Sequence, residues 1–573
     1  MPIAAATKLP QMFSTIRTPS LQGYQIYPDG IKYSFLPMAA SPLSQSQLYE
    51  KSSSSIDPDV EQNRLTRLES VVSTASQQCA TAIGRLRGGG AGQIAPFTHP
   101  LGHIRTSPDV IVDFDGPDDP YRPANWSFRK KCLTTFLYGL ATMGSTWASA
   151  VYAPGIKQIC KEFGVNEEVG TVGISLLLFG FGLGPLIWAP LSEKYGRKPT
   201  VLLPYAIAVI FSFATATAKD IQTVLLSRFF CGFFGAAPVT NTGGVLGDLW
   251  SPEERGVALI GYAISVVSGT VLGPITGGAI VQSSLGWRWT EYITGILTLF
   301  ILILDSILLD ETYPPALLVT KAQHLRYSTG NWALHARHEE WDVGFGEMAN
   351  KYLVVPFQLL GTPICFSVAL YASFVYGMLY LNLSSFPIQF QEERGWNQLV
   401  GQLPFLAFLI GILFGAIANL TNQRFYVRKY RANNCRAVSE ARLPPMIVGS
   451  VLFAGGLFLL GWTSDRRIPW IATTIGTAII GFGFFTIFQA SLNYLIDTFP
   501  TVSASAVAAT TFLRSLCAGA FPLFVRSMYT KLGIPWAVSV LGFISIVLLP
   551  IPYLFYFYGP KIRAKGRWSR SSL

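Results

Sequence analysis

Charge is what this chain of 573 residues has least of: Asp, Glu, Lys and Arg make up 13% of it, about half the usual globular share. A soluble chain of that length could not cover its surface with so few charges. Half of it is hydrophobic (50%) and the mean hydropathy is +0.38, so the missing charge points to an outer face solvated by lipid. Cysteine is scarce too. The seven cysteines, 79, 132, 160, 231, 365, 435 and 517, form no CxxC pair and no cluster with histidine. That excludes a disulfide-stapled secreted scaffold and leaves a metal or redox centre without support. The five histidines, His99, His103, His324, His335 and His338, lie outside every long apolar run, so an intramembrane hydrolase or acyltransferase lacks its acid–base chemistry. No G-x-x-x-x-G-K-[ST] loop occurs, so ATP is not the direct driver, and no cofactor is expected. The net charge of +11 does not indicate nucleic acid, because the basic residues sit between apolar segments, as loops facing an anionic leaflet do.

What is present divides the chain. Residues 1–128 are rich in Ser, Pro, Gln and Gly and are read as a disordered cytoplasmic tail. From Lys130 onward, apolar runs of roughly 18 to 28 residues recur, each long enough to cross a hydrocarbon core of ~30 Å. Twelve are counted, from Cys132–Ile156 to Trp536–Tyr558, with the seventh at Val354–Leu383. The predicted fold is an all-α membrane protein of twelve transmembrane helices in two six-helix bundles, 129–310 and 353–559. A cytoplasmic central loop (311–352) joins them, and a cytoplasmic C-terminal tail (560–573) follows. Lys and Arg favour the loops on the tail side, which places both termini in the cytoplasm. The chain is expected to act as a monomer in the lipid bilayer.

Three stretches carry more than hydropathy. Between the second and third spans stands Ala189-Pro-Leu-Ser-Glu-Lys-Tyr-Gly-Arg-Lys-Pro. Gly196 permits a tight turn, Glu193 can accept from a helix N-terminus, and Arg197, flanked by Lys194 and Lys198, can pair with an acid at another helix end. A plain positive-inside loop explains the cations but not the acid-x-x-Gly-Arg order. The fourth span contains Arg228, read as functional against the alternative of snorkelling to the outer interface. The fifth places Gly269, Gly273 and Gly277 on one smooth stripe, with Pro274 and Gly278 beside it.

In these stretches the chain resembles the major facilitator superfamily, and within it the fungal drug:proton antiporters of twelve spans that export drugs and toxins. The loop resembles that family's G-x-L-x-D-R-x-G-R motif, with Ala189, Glu193 and Lys194 departing from it. Arg228 matches its span-four arginine, and Gly273-Pro-x-x-Gly-Gly its antiporter motif. Asp115-Gly-Pro-Asp-Asp-Pro, Trp287-Arg-Trp, Thr511-Phe-Leu-Arg-Ser and Leu549-Pro-Ile-Pro match as well. The resemblance covers about Asp113 to Arg563. It implies two bundles rocking about a central cavity and a latch in which Glu193 caps the start of span eleven while Arg197 meets Asp248. It also implies proton antiport at the plasma membrane, with the vacuolar membrane as the other site, and small organic substrates.

Polar residues at helical spacing mark a possible path: Tyr138, Thr142, Ser145, Ser149 and Tyr152 in the first span, Tyr376 and Tyr380 in the seventh, Gln489 and Asn493 in the tenth. Interhelical glue is the equal alternative. Arg514 sits near the middle of the eleventh. Acids are rare at depth, with Asp248, Asp305 and Asp497 toward helix ends, so no proton carrier stands out. A polycation would need compensating carboxylates. Neutral or weakly acidic amphipathic molecules (drugs, toxins or secondary metabolites) are therefore the expected cargo, with a polyamine transporter or a non-transporting sensor as alternatives.

Overall fold

The computed structural model describes residues 110–116, 118–340, 354–434, 436–566 and 568–569. Of the tail predicted for residues 1–128, residues 1–109 lie outside them.

Among the described residues twelve long helices follow in order, with residues 309–362 between the sixth and the seventh, and we number them α1 to α12. They are Phe128–Ala150, Glu167–Tyr195, Arg197–Thr217, Ile221–Leu249, Pro252–Gln282 and Arg288–Leu308, then Pro363–Glu393, Val400–Ala432, Pro444–Trp462, Trp470–Thr498, Ser503–Leu532 and Ile534–Lys565. Eleven are long and apolar enough to span a membrane by length and composition. The exception is α1, whose 23 residues suffice in length but which opens on Arg129, Lys130 and Lys131 and carries a stripe of hydroxyls. Thr142, Ser145 and Thr146 turn those hydroxyls back onto the carbonyls of Tyr138, Ala141 and Thr142, which makes a polar stripe tolerable in an apolar setting.

Local chemistry sets the helix ends. Asp220 caps α4 by accepting from the Thr223 N–H at 2.7 Å, worth about 1 kcal/mol. Proline occupies the first turn of α5, α7 and α9, where its missing N–H costs nothing. Gly196 holds φ at +98° between α2 and α3, a conformation that side chains with a Cβ avoid.

Packing separates the helices into two halves of six. In the first, α5 lies on α1, α4 on α3 and α2 on α4; in the second, α9 packs on α10, α7 on α11 and α8 on α10. The halves meet along α2 with α11 and α5 with α8. At Gly519 an added Cβ would lie 2.6 Å from the Phe179 ring, and at Gly182 3.1 Å from Ser515.

Three boundaries need correction. The tail does not extend disordered to 128: Ile111–Val112 pairs in parallel with His335–Ala336 of the central loop. Asp119 is buried behind that pairing and accepts from the backbone N–H of Asp115 and Tyr121 and from Lys321. Burial opposes its charge, but those donors outweigh it and hold its carboxyl below the usual range. The central loop is not bare either, since it contains the helix Pro314–Thr329, closed by Gly330 in the left-handed region. The seventh span does not begin at 354. A short helix, Val355–Leu360, precedes a break, and α7 runs on to Glu393 with a π-helical end. Finally, α12 continues past 560 to Lys565 because Arg563, 4% exposed, is held by both oxygens of Glu440 at 2.7 and 2.8 Å.

Candidate functional site

Two places in the fold concentrate chemistry: the α2–α3 turn, at the face where α1 begins and α12 ends (the termini face), and the junction of the halves.

At the turn, Arg197 begins α3 and is 9% exposed. Its guanidinium donates to Asp248 of α4 at 3.3 Å and to Ser192 at 2.8 Å, and it lies 4.9 Å over the Tyr313 ring. Small residues make the seat. A Cβ on Gly244 would fall 2.6 Å from the guanidinium, and one on Gly196 2.6 Å from the Glu311 carboxylate. Glu311 went unnoticed in the sequence. It accepts the N–H of Arg197 at 2.9 Å and of Lys198 at 3.0 Å, a carboxylate on a helix N-terminus. Glu193 is half-buried. Burial, then its charge, pushes the Tyr313 phenol up to about 12 against the pull of Arg197. The Lys194 carbonyl meets His338 at 3.2 Å.

The second half repeats this device. Arg442, before α9, donates to Asp497 at the end of α10 at 3.0 Å, and to Gln423 of α8 at 2.5 Å. The two arginine–aspartate separations, 51 and 55 residues, were the available signal. Asp497, read in the sequence as an acid toward a helix end, is the partner of Arg442.

Arg228 does not snorkel. It is 1% exposed, pairs with Glu291 of α6 at 2.9 Å and donates to the carbonyls of Gly173, Ala148 and Ser149. The ring of Tyr152 lies 4.3 Å from its guanidinium. Glu291 was overlooked because it follows Trp287-Arg-Trp closely and reads as loop. Its carboxylate neutralises the deepest cation of the first half, and the pair ties α1, α2, α4 and α6 together.

The sequence-marked path residues divide between two places. Ser149 bonds Tyr380 of α7 at 2.8 Å, directly across the junction of the halves. Tyr376 lies 5.4 Å from Tyr380 and stacks on Phe484 and Phe488 of α10 at 6.2 and 5.8 Å. Arg514 of α11 is 8% exposed, with its guanidinium 4.5 Å from the Tyr376 centroid and 5.2 Å from that of Phe488. Its Nε has no partner, and neither amide atom of Gln489 has one. Asn493 is buried one turn further along α10. Ser145 instead faces into the first half, where it lines a cavity of about 10 Å³ with Phe181, Tyr205, Ser212 and Thr298.

The glycine stripe of α5 turns to α1. A Cβ at Gly269 would lie 2.3 Å from the Met143 carbonyl, at Gly277 2.5 Å from that of Val151, and at Gly273 3.1 Å from the Val151 nitrogen. Gly278 faces Gln398 and Gln402 of the other half. Pro274 lies within an uninterrupted helix.

The halves are joined at both faces. On the termini side Gln423 donates to the Glu253 carbonyl at 2.9 Å and Arg431 pairs with Glu253 at 2.5 Å. On the opposite side Lys157 pairs with Glu392 at 2.8 Å and Arg526 with Glu167 at 2.5 Å. Two six-helix halves joined at both faces are the architecture of a membrane transporter.

The chain belongs to the Major Facilitator Superfamily, whose family model matches residues 135–522. It is 51% identical to the efflux pump bik6 of Gibberella fujikuroi over 81% of this chain and 96% of that one. It is 44% identical to the citrinin biosynthesis cluster transporter mrr1 of Monascus ruber over 82% and 95%. With the multidrug transporter FLU1 of Candida albicans it shares 41% over 80% and 76%. Among solved structures, the fold is similar to the proton:xylose symporter XylE at TM-score 0.56 and 14% identity, covering 75% of this chain and 97% of that one. These relatives are transporters, and no enzyme activity is assigned to the chain.

Proposed function

We propose that the protein exports small aromatic molecules, neutral or weakly acidic, by alternating access coupled to inward proton movement. The observation that carries the substrate class is Arg514. It is a buried guanidinium between two aromatic faces at the junction of the halves, with no acidic partner among the described residues. Aromatic faces on a desolvated cation contribute about 2 kcal/mol, and an anionic group on a flat ring adds what they lack. Glu291 does not create a polycation site, because its charge is already taken by Arg228. Relatives named efflux pump and multidrug transporter support the outward direction.

In the cycle, Glu193, Arg197 and Asp248 act as the latch at the termini face, with Lys194, Gly196 and Lys198 shaping its turn. Ser149, Tyr376, Tyr380, Gln489 and Asn493 line the route. The working form is a monomer at the plasma membrane. A growth-inhibition panel in an exporter-deficient yeast tests the reading: expression should protect against aromatic acids and uncharged azoles, and Arg514→Ala should remove the protection against the acids. Protection against spermine alone would overturn it.

A further inference from the structure

One buried carboxylate belongs neither to the latch nor to the aromatic site. Asp305 of α6 is 0% exposed, and neither of its oxygens has a hydrogen-bond partner. One turn earlier lies the apolar cluster of Ala141, Tyr205 and Ile301; one turn later lies that of Leu137, Tyr138, Val201 and Leu309. The titratable groups facing it are Tyr138 of α1 and Tyr205 of α3, on whose hydroxyls its charge acts; the Tyr205 hydroxyl makes no hydrogen bond among the described residues. Of the other helices packed on α6, α5 carries no charged residue from Gly256 to Gln282. Arg197 and Glu311 at the α2–α3 turn also act on the Tyr138 hydroxyl, and Lys130 of α1 pairs with Asp310 just past the end of α6.

An ionised carboxylate without a cation or a donor is strongly disfavoured in such a setting, so the closed form holds it neutral. A partnerless buried acid is retained at a cost to stability unless it changes state during function. Two neighbouring features give it somewhere to exchange a proton. On the side away from the latch, Tyr205 also borders the cavity of about 10 Å³ lined by Ser145, Ser212 and Thr298, about the size of one water. On the other side, the Tyr138 hydroxyl feels Asp305, Arg197 and Glu311 alike.

We propose that Asp305 is the proton-binding site of the transport cycle, loaded through the cavity beside Tyr205 and emptied past Tyr138 when the latch parts. Loading forms one O–H bond on the Asp305 carboxylate: the Tyr205 hydroxyl hands on its proton and regains one from a hydronium ion that reaches the cavity and is left there as water. Emptying breaks that bond and passes the proton to water admitted at the latch. Arg197, Asp248 and Glu311 thereby sense whether the site is charged. The inference rests on the antiport reading above.

Two experiments on the full chain separate the two. Infrared spectra of the purified protein at neutral pH should show a protonated-carboxyl band that shifts on deuteration and disappears in Asp305→Asn. A band that survives in the variant overturns the proposal. Proteoliposomes are then given radiolabelled naphthalene-2-sulfonate, an aromatic anion that does not itself titrate. The wild type should accumulate it against its gradient when a pH gradient is imposed. Asp305→Asn should lose that accumulation at least tenfold while keeping equilibrium counterflow, and Asp305→Glu should restore it. Undiminished accumulation in Asp305→Asn, or loss of counterflow with it, overturns the assignment. A wild type that shows counterflow but ignores the pH gradient overturns the antiport reading itself.

Discussion

At the scale of single residues, two buried arginines of similar depth are solved differently. Arg228 has a carboxylate, three carbonyls and a ring around it; Arg514 has two rings. Breaking the first pair leaves an uncompensated buried charge, a loss of about 3–5 kcal/mol. Glu291→Gln should therefore lower the yield of folded protein and its melting temperature, measured by thermal melting in detergent. Normal melting would mean that the carbonyls alone suffice for Arg228. Removing Arg514 removes a charge without a partner, so Arg514→Leu should melt at or above the wild-type temperature. The same variant should lose at least tenfold in affinity for an anionic aromatic, about 1.4 kcal/mol, read by tryptophan quenching. The motif positions of both arginines are legible in the sequence. The difference between them is not, because Glu291 lies 63 residues from Arg228 and only the packing of both α4 and α6 on α1 brings it there.

At the scale of elements, the α5 stripe is graded rather than uniform. Gly269 and Gly277 meet backbone carbonyls at 2.3 and 2.5 Å, whereas Gly273 has 3.1 Å to its nearest neighbour. Carbonyls of a neighbouring helix cannot step aside as a side-chain tip can. Gly269→Ala and Gly277→Ala should therefore abolish transport, while Gly273→Ala should keep most of it, in the same uptake assay. Equal effects at all three would show that bulk at the α1–α5 contact is not what matters. The segment beside β-paired Ile111–Val112 makes a separate prediction. Asp119 gathers two backbone donors and Lys321, so Asp119→Ala should free residues 110–122 to limited proteolysis without changing the twelve-helix body. Periodicity and hydropathy reveal elements because they are local properties. The docking of this segment on the central loop pairs residues more than two hundred positions apart, and two-residue strands leave no periodic trace.

Across the whole molecule, the two halves carry one device twice: Arg197 with Asp248, and Arg442 with Asp497. Both sit at the termini face, and Gln423 links the second to α5 of the first half through Arg442 and Glu253. If they hold the termini face shut together, Arg197→Ala and Arg442→Ala should each reduce transport with expression intact. Each should also raise the reactivity of a cysteine placed at Ala258 toward a membrane-impermeant reagent applied from the termini side. Unchanged labelling in Arg442→Ala would confine gating to the first half.

Twelve spans, their division by a polar loop, the turn at Gly196 and the family were all available from the chain read as a string. Each depends on composition or spacing within a few dozen residues, and a bilayer enforces those rules strictly. The tertiary structure alone decided which charges meet. Glu311 caps α3, Glu291 neutralises Arg228, Asp497 serves Arg442, and Asp305 pairs with no charge among the described residues. In a low-dielectric interior the behaviour of an ionisable group follows from what stands within a few ångströms of it, and helix packing chooses those neighbours from distant parts of the chain.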